Sequence, residues 1–127
     1  MKNFYHIPLS IFRCTVVITW TTSDSDIEKH CKDRGVVITN QWKKDFNELK
    51  DGAKGCCMSL GEKNTDVLIW LSETPALFDP TLIHETYHAV DRILKDHNME
   101  GELESPAYLL EYILTEVHES MLKSKKK

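Results

Sequence analysis

The chain has 127 residues, of which 41% are hydrophobic and 28% are charged. This is the composition of one globular domain, and it excludes collagen-like, low-complexity and fully disordered chains. The net charge is −4, and four lysines lie in residues 123–127, so the rest of the chain carries 12 − 20 = −8. An acidic body argues against a nucleic-acid-binding face. We expect residues 1–127 to form a single domain that ends in a basic, frayed tail over 123–127.

The cellular location is predicted from three features. No segment approaches the ~20 apolar residues of a membrane-spanning helix. Arg13 interrupts the apolar N-terminal stretch and no small-residue cleavage site follows it, so the segment does not resemble a signal peptide. The cysteines at positions 14, 31, 56 and 57 form no CxxC pair, which favours reduced and mostly buried thiols. We therefore expect a cytoplasmic protein with no membrane partner.

The predicted elements follow in chain order. Segments rich in β-branched and apolar residues predict strands at residues 11–20, 36–40, 55–60 and 66–72. Capping signals and helical spacing predict helices at residues 26–34, 41–50, 80–97 and 105–122. Asp79 is a suitable N-cap for the third helix, with Pro80 at its first position. Because the two long helices come last, we expect an α+β fold, with helices on one face of a mixed or antiparallel sheet of about three to four strands.

Residues 84–88 read His-Glu-Thr-Tyr-His, which is an HExxH motif inside a predicted helix. Histidines four positions apart lie on one helical face, so both imidazoles can bind one Zn²⁺. Glu85 is rotated by about 100° from His84, which suits a general base acting on water better than a metal ligand. A separate stripe of residues on this helix is expected to face the core, so that the two histidines face a cleft. It comprises Ile83, Thr86, Val90, Ile93, Leu94 and His97, flanked by Ala89.

A catalytic zinc ion takes three protein ligands and keeps one open position. Glu104 lies 16 residues after His88, where a short turn between antiparallel helices would return its carboxylate to the metal. Pro106 disfavours helical geometry at the residue before it, which leaves the identity of the third ligand open. Glu111 is the main rival, and Glu102 is the next.

The motif at residues 84–88, followed by Glu-Ser-Pro-Ala-Tyr at residues 104–108, resembles the gluzincin pattern HExxH…ExxA(F/Y). Small zinc metallopeptidases of phages and mobile elements, and the related ImmA/IrrE group, carry this pattern. The resemblance covers about residues 66–115. It implies a minimal zincin-like domain that hydrolyses a peptide bond in a peptide or protein substrate. It also implies one Zn²⁺ per chain, held by His84, His88 and Glu104, with Glu85 as the catalytic base.

Further residues are candidates for supporting roles. Tyr108 is the best candidate to stabilise the oxyanion, because it lies one helical turn after the predicted ligand at 104. Tyr87 and Tyr112 are alternatives, and a packed core position is the competing interpretation for each tyrosine. Asp91 either orients a histidine through a hydrogen bond or forms a surface ion pair with Lys95.

The strand predicted at residues 66–72 has two interpretations. As an edge strand beside the cleft, it would pair with an extended peptide substrate, and Trp70 would form a pocket wall. As a buried central strand, it would carry Trp70 in the core.

Three functional hypotheses follow. The first is a zinc metallopeptidase. The second is a zinc-containing regulatory or interaction protein, whose zincin site is vestigial or cleaves one dedicated partner. The third is a metal-free α+β binding module, for which His84 and His88 would be exposed and uncoordinated.

Overall fold

A computed structural model describes residues 3–60, 66–97 and 105–125. Within them, four strands form one sheet, namely β1 (Phe4–Leu9), β2 (Cys14–Trp20), β3 (Gly55–Ser59) and β4 (Val67–Leu71). The helices are α1 (Asp24–Asp33), α2 (Asn40–Lys50), α3 (Pro80–Asp96) and α4 (Ser105–Lys125), and a 3₁₀ turn at Ser10–Phe12 joins the first two strands. The predicted α+β class is therefore confirmed.

The sheet is mixed, with the strand order β1-β2-β4-β3. The two outer pairs are antiparallel, and the central pair, β2 with β4, is parallel. One core layer lies between the sheet and α3 with α4, and it includes Ile18, Ile69, Ile93 and Ile113. A second layer, built around Phe46, lies between the other face and α1 with α2. The expectation that the helices occupy one face is therefore wrong, because α1 and α2 cover the opposite face.

The structure differs from the sequence predictions at three places in the N-terminal half. Residues 36–40 were expected to form a strand, but Asn40 begins α2, because the Thr39 hydroxyl caps it by accepting the Trp42 N–H at 3.1 Å. β1 was not predicted, and it is an edge strand that contains Pro8. A proline removes one ladder donor, which an edge strand tolerates. The strand predicted from residue 11 begins only at Cys14.

The long helices agree with the sequence. The buried residues of α3 are Leu82, Glu85, Thr86, Ala89, Val90, Ile93 and Leu94, so the predicted stripe is largely confirmed. α4 continues through Lys125 into the segment expected to fray. No helix in the described ranges is both long and apolar enough to cross a membrane.

The cysteines are free thiols, and three of the four are buried. Burial raises the pKa of Cys14, Cys31 and Cys56 to about 11. These thiols therefore stay protonated at neutral pH, in agreement with the prediction of buried thiols.

A second pair of facing histidines joins the edge strand β1 to α1. The Nε2 atoms of His6 and His30 lie 2.7 Å apart, so one ring donates to the other. Burial, with smaller contributions from the Arg34 charge and the neighbouring His30, lowers the pKa of His6 from 6.5 to about 4. Burial and Arg34 also lower the pKa of His30.

These lowered pKa values make stability depend on pH. The folded protein binds the protons less readily than the unfolded chain, so the free energy of unfolding falls as the pH drops from about 6.5 toward 4. Because His6 is partly exposed, this effect on stability is smaller than for a fully buried group. We expect His6→Gln to reduce the loss in free energy of unfolding by about 1–2 kcal/mol. Urea unfolding across this pH range measures it, with His118→Gln as the control. An unchanged pH slope in His6→Gln would contradict the assignment.

Candidate metal centre and cleft

The start of α3 is fixed by a cap. The Asp79 carboxylate accepts the backbone N–H groups of Thr81 at 2.9 Å and Leu82 at 3.4 Å, and Pro80 occupies the first turn. These contacts satisfy backbone donors that the helix leaves free. The predicted start of the helix is therefore confirmed, and it determines which residues α3 presents to each side.

His84 and His88 lie on the outer face of α3, and both are exposed. Their Nε2 atoms are 3.1 Å apart. Two imidazoles on one tetrahedral zinc ion, with bonds of about 2.0–2.1 Å, place these atoms roughly 3.3–3.4 Å apart. The pair is therefore close to the separation that a shared metal ion requires. The same distance suits a hydrogen bond between two neutral rings, so the geometry is compatible with both states.

Glu85 lies on the neighbouring flank of α3 and is only 8% exposed. It packs beside β3, where a Cβ placed on Gly55 would come within 3.1 Å of the Glu85 Cγ. Among the residues that the structure describes, no side chain or backbone group forms a hydrogen bond or ion pair with its carboxylate. A sheltered carboxylate without a fixed partner is suited to accept a proton from a bound molecule.

A cavity of about 570 Å³ lies between α3, β3 and the end of α2. Its walls include Leu49, Gly55, Cys57, Glu85, His88 and Arg92. The described wall residues come from these three elements and none from α4. The cavity therefore places the candidate base and one candidate ligand beside the edge of the sheet.

β3 forms that edge of the sheet, because β4 is the only strand of the described residues that pairs with it. The Lys54 carbonyl and the Leu60 N–H both pair with backbone groups flanking β4, at 2.9 Å. Antiparallel pairing alternates, so the backbone groups of Gly55, Cys57 and Ser59 point away from the sheet. The Ser59 carbonyl accepts the Trp42 indole N–H at 2.8 Å. Gly55 and Cys57 also line the cavity, so their outward backbone groups lie at its wall.

The edge interpretation of residues 66–72 is therefore wrong. β4 lies between β2 and β3, and all five of its residues are buried. Trp70 is a core residue, 8% exposed, and its indole donates to the Thr22 carbonyl at 3.0 Å. The alternative, a buried central strand, is confirmed, and the edge position belongs to β3.

The third metal ligand is not assembled within the described residues. Glu104 and Glu102 lie outside the described ranges, so the assignment of Glu104 stays a prediction. Glu111 is exposed on α4. In residues 3–60, 66–97 and 105–125, no three His, Cys, Asp or Glu side chains come together to hold a metal ion. Glu111 is accordingly not placed with the histidine pair.

The candidate tyrosines are all exposed, by 67% for Tyr108, 57% for Tyr87 and 46% for Tyr112. The competing interpretation, a packed core position, is therefore wrong for each of them. Tyr108 and Tyr112 belong to α4, which does not contribute to the described walls of the cavity. The role of Tyr108 at an oxyanion stays a prediction.

Asp91 pairs with Lys95 at 3.0 Å, four positions apart on α3. This confirms the ion-pair interpretation of Asp91. Arg92, which no motif singled out, lines the cavity and donates to the Ser59 hydroxyl at 3.2 Å. Its position four residues after His88, on the same face of the helix, was the available signal.

Comparison with protein-family models, with curated protein sequences and with solved structures gives no match. The resemblance to gluzincins therefore depends on the residues at 84–88 and 104–108. The mixed sheet and its helices agree with the coarse fold class that the resemblance implies. The geometry of α3 and β3 is the basis for assigning a function.

Proposed function

We propose that this protein is a zinc-dependent peptidase. His84 and His88 would hold the metal ion together with Glu104, and Glu85 would act as the general base. The observation that carries the proposal is the pair of exposed imidazole nitrogens 3.1 Å apart, next to a buried carboxylate at a cavity. An isolated pair of surface histidines would not need such a carboxylate beside a free strand edge.

The residues of this chain have separate tasks in the proposed reaction. A bound zinc ion supplies Lewis-acid chemistry that polarises the peptide carbonyl. Glu85 accepts a proton from the attacking water and passes it to the nitrogen of the leaving amine. The outward backbone groups of Gly55 and Cys57 can hydrogen-bond an extended peptide and hold it along β3. The peptide bond is thereby presented to the flank of α3 that carries the base.

The two alternative functions, a regulatory zinc protein and a metal-free binding module, make different demands on the histidines of α3. A regulatory protein with a closed site needs an element that covers the metal ion, whereas both histidines are exposed. A metal-free binding module fits the exposed histidines and the absence of a three-ligand group within the described residues. Metal content distinguishes this module from the peptidase.

The expected zinc content is about one ion per chain, since the ligand set forms a single site. Elemental mass spectrometry on protein purified without chelator measures it. Removing an imidazole leaves too few ligands, so His84→Ala should lose the zinc. Glu104→Ala should lose it or bind it weakly, whereas Glu111→Ala should retain it. His30→Gln, which alters the other facing histidine pair, is the matched control.

Two results would change the assignment. Loss of zinc in Glu111→Ala but not in Glu104→Ala would move the third ligand to α4 and keep the enzyme. Absence of zinc from the wild-type protein, even after zinc is supplied, would favour the metal-free binding module.

A further inference from the structure

Arg92 is a cation of the cavity that no described carboxylate neutralises. It lies on α3 one turn beyond His88 and lines the same cavity. Within the described ranges, no aspartate or glutamate forms an ion pair with its guanidinium. Lys95 differs, because it is paired with Asp91 at 3.0 Å. A guanidinium keeps its charge at any physiological pH, so Arg92 offers a permanent positive charge to whatever enters the cavity.

The side chain of Arg92 is also held in place. Its Nη1 donates to the Ser59 hydroxyl at 3.2 Å, and both Arg92 and Cys57 line the cavity. Ser59 and Cys57 belong to β3, the edge strand. Asp96 lines the cavity one turn later on α3 without pairing with Arg92. One hydrogen bond therefore holds the guanidinium at the strand edge, and its remaining N–H groups can donate to another carboxylate.

The cavity has two chemically different ends. Near Gly55, β3 lies beside the candidate base Glu85, and near Ser59 it lies beside Arg92. Seven positions on α3 separate the two charged residues, which is about 10.5 Å of helical rise. An extended peptide advances about 3.3 Å per residue. This rise corresponds to about three residues of an extended peptide that lies along β3. Counted on β3 itself, Gly55 and Ser59 are four positions apart.

We propose that Arg92 determines the substrate class by binding a carboxylate of the peptide. The carboxylate belongs to an aspartate or glutamate side chain about three to four residues from the bond that is cleaved. The planar guanidinium of Arg92 suits a charge-assisted and often bidentate contact with a carboxylate, which lysine does not reproduce. The cleavage preference rests on the proposed peptidase function, whereas the binding preference does not.

The test uses a library of short peptides generated from a cellular proteome. Wild-type protein with zinc is incubated with the library, and mass spectrometry identifies the new peptide ends. We expect acidic residues to be enriched about tenfold at one position, three to four residues from the cleaved bond. Arg92→Glu should replace this with a preference for lysine or arginine, and Arg92→Lys should retain part of it. Lys95→Gln, on the same helix but already paired, is the matched control.

A binding measurement separates this inference from the peptidase function. Immobilised Glu85→Gln protein is expected to retain acidic peptides from the same library, and the double variant with Arg92→Glu should not. Arg92-dependent retention, combined with no cleavage by the zinc-loaded wild-type protein, would remove the peptidase and leave the carboxylate site. Cleavage or retention that is indifferent to Arg92→Glu, or no retention at all, would overturn the inference.

Discussion

Glu85→Gln is expected to retain its zinc and to lose peptidase activity by about 10²–10⁴-fold. The amide has nearly the shape of the carboxylate, so the packing of residue 85 against β3 is preserved. It cannot accept a proton from water, and the step that depends on the base fails. The rate at which peptides are cleaved, measured alongside zinc content, tests this expectation.

A matched control makes the same Glu-to-Gln change outside the proposed site. Glu119→Gln makes the same change at an exposed position of α4, a helix that does not supply described walls of the cavity. It should behave as wild type. Full activity in zinc-loaded Glu85→Gln would exclude Glu85 as the general base, whatever the metal content.

Gly55→Ala is expected to reduce activity by about 10²-fold, because it moves the base away from the strand edge. A Cβ at this position would lie 2.9 Å from the Thr81 Cγ2 and 3.1 Å from both the Glu85 Cγ and the Trp70 carbonyl oxygen. The backbone oxygen belongs to β4 and cannot retreat, so α3 has to shift outward. Overpacking of this kind lowers the free energy of unfolding by about 1–3 kcal/mol.

Gly35→Ala is the control for lost stability. Gly35 has φ +79°, and nothing lies within 4 Å of a Cβ built on it. Backbone strain should lower its stability by about 1–2 kcal/mol without moving α3. Urea unfolding and activity per folded molecule are measured for both variants. If Gly35→Ala and Gly55→Ala lose activity equally, the defect of Gly55→Ala results from instability. If Gly55→Ala loses no activity, the site tolerates the contact.

Local signals in the sequence predicted the parts of the fold that depend on neighbouring residues. Asp79 and Pro80 fix the start of α3, and the 3.6-residue period identifies its buried side, so the direction of the histidines was predictable. Residues 36–40 show where such signals compete. Their β-branched side chains favour a strand, but the Thr39 hydroxyl caps a helix that begins one residue later, and the helix prevails.

The cleft could not be predicted in the same way, because it depends on pairing between distant segments. The apolar run of β4 predicts a strand but not its neighbours, and the choice between edge and centre depends on where β3 pairs. Arg92 meets Ser59 across 33 positions of the chain. No periodicity within either segment indicates that contact, so this residue had no motif to identify it.

The parallel pairing of β2 with β4 has a consequence for how the protein folds. Val16 lies opposite Val67, and the intervening chain contains α1, α2 and β3. A long loop must close before the central ladder can form, and such non-local closure slows folding. β3 and β4 are neighbours in sequence and can pair as a local antiparallel unit before this step, so the strand edge next to Glu85 does not depend on it. We therefore expect closure of the central ladder, and not formation of the edge beside Glu85, to be the slow step in assembling the sheet.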